Sequence, residues 1–321
     1  MSENGLTPTR GWHIFCLTSG SKHKISMPTT AHSFAQHKAL GAYLGLAVGD
    51  ALGATVEFMT PHEIRSSHGA HRHIVGGGWL QLPAGRVTDD TEMCLALGNA
   101  LVASGGWELR AVADAFVAWM RRGPVDIGNT CRRGLHRYVR HGTLQAEFSE
   151  DNAGNGAAMR NLPLALATLA DDDAFTERSL AQAHITHHHP LSDAATLALG
   201  RMTRTLLRGG TRDDCRVFAD DFVRRHPEFR FHPWPGNTSG YIVDTVQTVF
   251  EAFFATDNFE DCLVRAVNRG GDADTIGALA GQLAGACYGV HAIPARWLEQ
   301  LDPAIQRAIR TQTAGLLKLA A

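Results

Sequence analysis

The stretch LRAVADAFVAWM, residues 109 to 120, sets Leu109, Val112, Ala113, Phe116, Val117 and Met120 on one stripe. Apolar residues recurring at i, i+3, i+4 and i+7 share one face of a 3.6-residue helix, so the segment predicts an amphipathic helix. Just upstream, Met93, Leu97 and Leu101 make a second stripe of the same kind. Outward from these two, helical patterning covers about 38 to 53, 157 to 170, 178 to 186, 193 to 208, 213 to 226, 241 to 255, 259 to 268 and 275 to 289. Sustained strand alternation is hard to find. Gly76-Gly77-Gly78, Gly105-Gly106, Gly123-Pro124, Gly209-Gly210 and Gly270-Gly271 punctuate the helices as loops, and no repeat or long Pro/Ser linker divides the chain. The expected fold is all-α, a single compact multi-helix domain over residues 36–321. Residues 1–35 are expected to be a disordered tail or a mis-assigned start, with Met27 as the alternative first residue.

Composition excludes several function classes. The 30 Lys+Arg against 32 Asp+Glu leave a formal charge of −2, which removes the basic field needed for non-specific nucleic-acid binding and any polybasic membrane patch. Cysteines at 16, 94, 131, 215, 262 and 287 never reach C-x-x-C spacing, as expected of a reduced, cytoplasmic protein without structural zinc. The most apolar segment, 276 to 290, contains Gln282 and four glycines, so it reads as a tightly packed core helix rather than a membrane span. Gly41, Gly45, Gly49 and Gly53 lie inside another helical pattern, where each costs up to about 1 kcal/mol relative to Ala. Close approach of a neighbouring helix is the simplest compensation.

The chemistry concentrates at two acidic helix starts far apart in sequence. Thr88-Asp89-Asp90-Thr91-Glu92 precedes the Met93 stripe, and Asp272-Ala273-Asp274-Thr275 follows Gly270-Gly271. Capping accounts for one acid per helix: Asp89 with Glu92 fits a capping box, and Asp274 or Thr275 suits the next cap. It does not account for adjacent acids, because like charges about 4 Å apart repel by roughly 4 kcal/mol at an effective dielectric of 20. If the two motifs meet, four carboxylates and two or three hydroxyls form an oxygen-only set suited to Mg²⁺ or Mn²⁺. An EF-hand opening at Asp272 fails because Leu283 stands where its last acid belongs, and a phosphatase D-x-D motif fails because no strand precedes it.

Three further segments are candidates for substrate contact. Residues 154 to 160 read as a glycine loop opening a helix, whose N–H groups could hold a phosphate. Asp126 sits in a loop after a helix, where an Asx-turn is the bland reading. The run Thr186-His187-His188-His189-Pro190 has the wrong spacing for several imidazoles to face one ion, so one His facing a ligand is expected rather than a zinc cluster.

Taken together, G-D-A-L-G-A at 49 to 54 with Glu57, T-D-D-T at 88 to 91, D-I-G-N-T at 126 to 130, N-G-A-A-M-R at 155 to 160, T-H-H-H-P at 186 to 190 and G-G-D-A-D-T at 270 to 275 resemble the ADP-ribosylglycohydrolase family. The resemblance covers about 38 to 300. With G-G-G-W at 76 to 79, it leans toward the branch acting on the nitrogenase iron protein. It implies an all-α hydrolase with two divalent cations, Mn²⁺ or Mg²⁺, on Thr88, Asp89, Asp90, Asp272, Asp274 and Thr275. It further implies Asp126, Gly128 and Asn129 at the scissile ribose, Asn155, Gly156 and Met159 at the pyrophosphate, and His187 at a ribose. Glu150 and Tyr241 fall toward the adenine end, and Glu57 is either a ligand or a substrate-side acid. Asp126, with Asp89 and Asp90, would be catalytic, as proton shuttle or in opening the ribose ring. The implied substrate is mono-ADP-ribosyl-arginine on the iron protein. Serine-linked or O-linked ADP-ribose, a non-catalytic ADP-ribose binding role and a metal phosphoesterase are the alternatives. A PII signalling protein and, indirectly, an ammonium transporter are implied partners, through which a cytoplasmic protein would reach the membrane reversibly without inserting.

Overall fold

The computed structural model describes residues 29–320, so the expectations for the first 28 residues lie outside the described part. Fourteen α-helices follow in order among the described residues: α1 (Thr29–Gly53), α2 (Pro61–His68), α3 (Asp89–Ala103), α4 (Leu109–Arg121), α5 (Asn129–His141), α6 (Leu162–Ala167), α7 (Asp172–His184), α8 (Pro190–Leu207), α9 (Arg212–Arg225), α10 (Ile242–Phe254), α11 (Phe259–Val267), α12 (Ala273–Tyr288), α13 (Ala295–Gln300) and α14 (Pro303–Leu319). Three short 3₁₀ turns complete them, and no strand is present among the described residues. The described residues form one compact all-α domain.

At its centre α1 and α12 pack against each other, and the glycine spacing explains how. A Cβ built on Gly41, Gly45 or Gly49 would overlap the carbonyl oxygen of Gly285, Gly281 or Gly277 respectively, and the reciprocal overlaps occur as well. The pairing of rising with falling numbers makes the two helices antiparallel, in backbone-to-backbone contact along their length. Dispersion over that contact offsets the propensity cost of helical glycine. α12 is buried from Ala273 to Ala286, and α8, α10 and α11 pack around it while α3 and α14 close the other side of α1.

This pairing positions the site. Because α1 runs antiparallel to α12, the last turn of α1, with Asp50, lies beside the first turn of α12, with Asp274. The start of α3 docks on the same end of α1 through hydrogen bonds from Thr88 and Thr91 to Asp50.

Several boundaries differ from the sequence reading. The helix expected over 157 to 170 is only α6, because Pro163 lacks an N–H and its ring would clash with the Met159 carbonyl in a continuous helix. The glycine loop therefore opens a series of turns, not a helix N-terminus. The N–H groups of Asn155, Ala158 and Met159 are already bonded, to Gly240 O and Asn155 O. α2, α5, α13 and α14 were not expected as helices. In α14 the buried face includes Gln312 and Thr313, so its apolar stripe is interrupted; Gln312 accepts from Tyr43 Oη at 2.5 Å and donates to Leu95 O at 2.9 Å.

Candidate metal centre and substrate cavity

The acids at the two helix starts do not cap. Thr88 is the N-cap of α3 and Asp272 that of α12, yet neither makes a side-chain capping bond. The capping box expected of Asp89 and Glu92 is absent: Glu92 is drawn off by Arg86 at 2.6 Å and by Trp119 Nε1 at 2.8 Å. True capping boxes do occur here, Thr60 with Glu63 on α2 and Thr211 with Asp214 on α9. The acids that could have capped α3 and α12 are instead turned toward one another.

Asp50 organises the meeting. It is fully buried, and its two oxygens accept from Thr88 N at 3.0 Å, Thr88 Oγ1 at 3.0 Å, Thr91 N at 3.1 Å and Thr91 Oγ1 at 2.5 Å. Burial raises it to about 6 against the pull of those donors. Sequence reasoning gave Asp50 no role, although an aspartate inside a glycine-spaced apolar helix was a visible signal. Thr88 Oγ1 lies 3.3 Å from both Asp90 Oδ2 and Asp274 Oδ2, and Thr275 Oγ1 lies 3.3 Å from Asp90 Oδ2. The motifs at 88 to 91 and 272 to 275 therefore converge.

Electrostatics shows what the convergence costs. Carboxylate oxygens of Glu57, Asp272 and Asp274 lie within 4.8 Å of one another. Each ionised pair at that spacing repels by about 3.5 kcal/mol or more at an effective dielectric of 20. Burial, with repulsion from Asp126 and Asp50, pushes Asp89 up to about 8. Burial also carries Glu57 to about 8 against the donation from Trp79, with Asp272 and Asp126 adding to the rise. Asp90 and Asp274 lie well above the usual carboxylate range, from burial first and neighbouring acids second. Asp90 Oδ1 is buried and has no hydrogen-bond partner among the described residues. An orphaned acceptor, a threonine hydroxyl with one proton facing three carboxylates, and a donor set made of oxygen fit a hard divalent cation.

Above the acids lies a cavity of about 550 Å³. Its wall holds Glu57, Asp89, Asp272, Asp274 and Thr275 on the acidic side, and Asp126, Gly128, Asn129, Asn155, Gly156, Met159 and His187 opposite. Thr88 and Asp90 are buried outside this wall. Asn155 Nδ2 donates to Asp272 Oδ2 at 2.5 Å, tying the turn after Gly154 to α12. Gly128 N donates to Asp89 Oδ2 at 3.4 Å, and Asp126 Oδ1 accepts from Ile127 N at 2.7 Å.

The three histidines separate. His187 is buried and driven down to about 3 by burial and by Arg160, so it is a neutral imidazole whose Nδ1 meets Thr186 Oγ1 at 2.8 Å. His188 Nδ1 meets Ala146 O, and His189 caps α8 and meets Glu150 Oε2 at 3.2 Å. Arg160, fully buried beneath Phe116 and bound to Gln182 and Thr186, holds the Thr186–His187 pair from behind. Glu150 is turned outward with its side chain 84% exposed, and Tyr241 starts α10 at 42% exposure; neither is in the wall. A larger groove of about 920 Å³, with Arg65, Arg72, Arg265 and Arg269, contains none of these motifs.

With this geometry in place, similarity to known proteins is decisive. The family model described as ADP-ribosylglycohydrolase matches residues 31–320. The chain belongs to the ADP-ribosylglycohydrolase family. It is 56% identical over 283 residues to the ADP-ribosyl-[dinitrogen reductase] glycohydrolase of Rhodospirillum rubrum, covering 88% of this chain and 96% of that one. It is 34% identical to the ADP-ribosylarginine hydrolase Tri1 of Serratia proteamaculans, covering 82% of this chain and 75% of the relative. A solved ADP-ribosylglycohydrolase-related protein complex contains a chain that superposes with a TM-score of 0.79 at 34% identity, covering 90% of this chain and all of that one. The chain is thus an enzyme of this glycohydrolase family, with a carboxylate cluster compatible with divalent metal. Among the described residues no helix is long and apolar enough to cross a membrane.

Proposed function

We propose that this enzyme hydrolyses the N-glycosidic bond between ribose and an arginine guanidinium on ADP-ribosylated dinitrogenase reductase, restoring that protein. The observation that carries the reading is the uncapped acid set at the joined ends of α1, α3 and α12: Asp89, Asp272 and Asp274 line a cavity that also holds Asp126, and the orphaned Asp90 oxygen is buried just outside its wall. The Rhodospirillum and Serratia relatives support the linkage and the target by their names.

Thr88, Asp89, Asp90, Asp272, Asp274 and Thr275 are the proposed ligands for two Mn²⁺ or Mg²⁺, with Glu57 close enough to join them. When bound, such cations supply charge that lets a diphosphate enter an acidic cavity, orient ribose hydroxyls and acidify water. Asn155, Gly156 and Met159 face the pyrophosphate, and neutral His187 presents an imidazole to a ribose without repelling the cations. Glu150 and Tyr241, outside the wall, are left for the adenine end. Departure of the guanidine passes through an oxocarbenium-like state and needs a proton at the leaving nitrogen. Asp126, held by the Ile127 N–H beside Gly128 and Asn129, is the group to shuttle that proton or to assist opening of the ribose ring.

The test is release of ADP-ribose from arginine-modified iron protein in Mn²⁺. No release by the wild type, or full activity in Asp89→Ala, removes the reading. Turnover of serine-linked peptide alone, ADP-ribose binding without turnover, or phosphate release would each point to a different chemistry. A PII signalling protein, and through it an ammonium transporter, is the proposed route to a membrane. Purified enzyme alone should then leave liposomes unbound, and binding to bare liposomes would overturn that route.

A further inference from the structure

Two aromatic rings stand exposed at the mouth of the acidic cavity, and packing does not account for them. Phe58 is 65% exposed and Trp79 52% exposed, yet both line the cavity, with ring centroids 5.3 Å apart and planes at 51°. The chain goes to some length to hold them there. Phe58 sits in the left-handed region at φ 62°, a backbone conformation that a bulky side chain rarely adopts. It is kept there by its N–H donating to Gly271 O at 2.6 Å, next to Asp272. Trp79 follows three glycines of positive φ in a tight loop closed by Gly77 N to Leu82 O at 2.7 Å and Leu82 N to Gly77 O at 2.9 Å. Its indole Nε1 donates to Glu57 Oε2 at 2.6 Å.

The result is a pair of π faces fastened to a carboxylate, with Asp126 in the same cavity. Rings with negative faces beside carboxylates favour a flat, weakly hydrated cation, and a guanidinium fits that description better than an ammonium or a hydroxyl. We infer that Phe58 and Trp79 form the leaving-group subsite, which stacks the guanidinium of the modified arginine and selects arginine-linked over hydroxyl-linked ADP-ribose. The inference rests on the arginine linkage proposed above and adds the residues that recognise it. Trp79 has a second part as a positioning residue, since its indole N–H fixes which way Glu57 points.

The test compares Phe58→Gly, Trp79→Leu and Trp79→Phe with wild type in Mn²⁺. Phe58→Gly removes the ring and suits the left-handed backbone, and Trp79→Phe keeps a ring while deleting the hydrogen bond. KM for ADP-ribosyl-arginine should rise about tenfold in Phe58→Gly and Trp79→Leu, as expected for loss of a partly desolvated cation–π contact. It should stay near wild type in Trp79→Phe, where kcat falls instead. Affinity for free ADP-ribose, measured by calorimetry, should stay within about twofold throughout, because the product lacks the guanidinium. Unchanged KM in both ring-deleting variants, or an equal loss of free ADP-ribose binding, overturns the subsite. Failure of the wild type to cleave the arginine linkage overturns the parent reading, and that control is read first.

Discussion

Asp274→Asn separates the cost of the acid cluster from its purpose. Asp274 Oδ1 accepts from Thr275 N at 2.9 Å and Oδ2 lies 3.3 Å from Thr88 Oγ1. An amide keeps the first bond through its oxygen and can donate to the threonine hydroxyl, so little local structure is lost. What disappears is one of three mutually repelling carboxyls, those of Glu57, Asp272 and Asp274, whose oxygens lie within 4.8 Å of one another. The magnitude follows from the protonation the cluster enforces. At pH 7, holding as the acid an aspartyl carboxyl whose ordinary value is 3.8 costs roughly 4 kcal/mol, at about 1.4 kcal/mol per unit. Removing Asp274 relieves a cost of that order, about 8 °C in melting temperature for a domain of this size. Metal-free Asp274→Asn should therefore melt higher than the metal-free wild type, while Mn²⁺ should raise the wild type and barely move the variant. Differential scanning fluorimetry with and without Mn²⁺ at pH 7 reads both signs. A metal-free variant that melts below wild type, or one that Mn²⁺ stabilises as fully as wild type, would refute the view that these acids are held apart from capping for a cation.

The sign should reverse at Asp50, because its oxygens are satisfied by four donors rather than facing other acids. Asp50→Asn leaves a buried N–H facing an amide NH₂ and should lower stability by about 2–4 kcal/mol while weakening Mn²⁺ binding, read by urea unfolding and Mn²⁺ titration. Stability within 1 kcal/mol of wild type, in roughly the uncertainty of the measurement, would remove its organising role. With pH, Glu57 and Asp89 both have folded values raised to about 8 from ordinary values of 4.5 and 3.8, so the folded state holds protons that the unfolded chain has lost. Metal-free stability should thus decline as pH rises from about 4 to about 8, by up to about 1.4 kcal/mol per pH unit for each group, and Mn²⁺ should flatten the decline while releasing protons. A rising metal-free profile in that window would contradict it. Finally, Gly49→Ala drives a methyl group into the Gly277 carbonyl of α12, so it should destabilise by at least about 1–3 kcal/mol despite the better helix propensity of Ala. A melting temperature equal to or above wild type would show that α1 and α12 can part without cost.

Much of this was legible in the sequence, and the illegible parts share a cause. The stripes of α3 and α4, the glycine spacing of α1 and the two acid clusters are local patterns, and local patterns can be counted. Pro163 shortened α6 through a steric rule that the apolar run around it concealed. α14 escaped because Gln312 and Thr313 occupy its buried face, Gln312 satisfied by Tyr43 and by the Leu95 carbonyl that only the fold brings near, Thr313 by the Ile309 carbonyl one turn back in its own helix. Asp50 and Trp79 lay inside quoted motifs, but what they do depends on partners 41 and 22 residues away. Long-range polar pairing leaves no periodicity behind, so it is the part of a site that a sequence pattern conveys least.

Capping shows why the long-range part decides the function. Read locally, a threonine, asparagine or aspartate at a helix start is a cap, and α2, α7, α9 and α11 bear this out, where the side chains of Thr60, Asp171, Thr211 and Asn258 accept backbone N–H bonds. The same residue types at α3 and α12 do not cap, because the antiparallel contact of α1 and α12 brings both starts to one point. Asp50 then takes the Thr88 and Thr91 groups that would otherwise have served the α3 end. The carboxylates released from that duty are the ones that crowd the cavity floor. The glycines of α1 and α12 and the chemistry of the acids are thus one device: without backbone-to-backbone packing, neither helix end could come close enough for its acids to share a ligand.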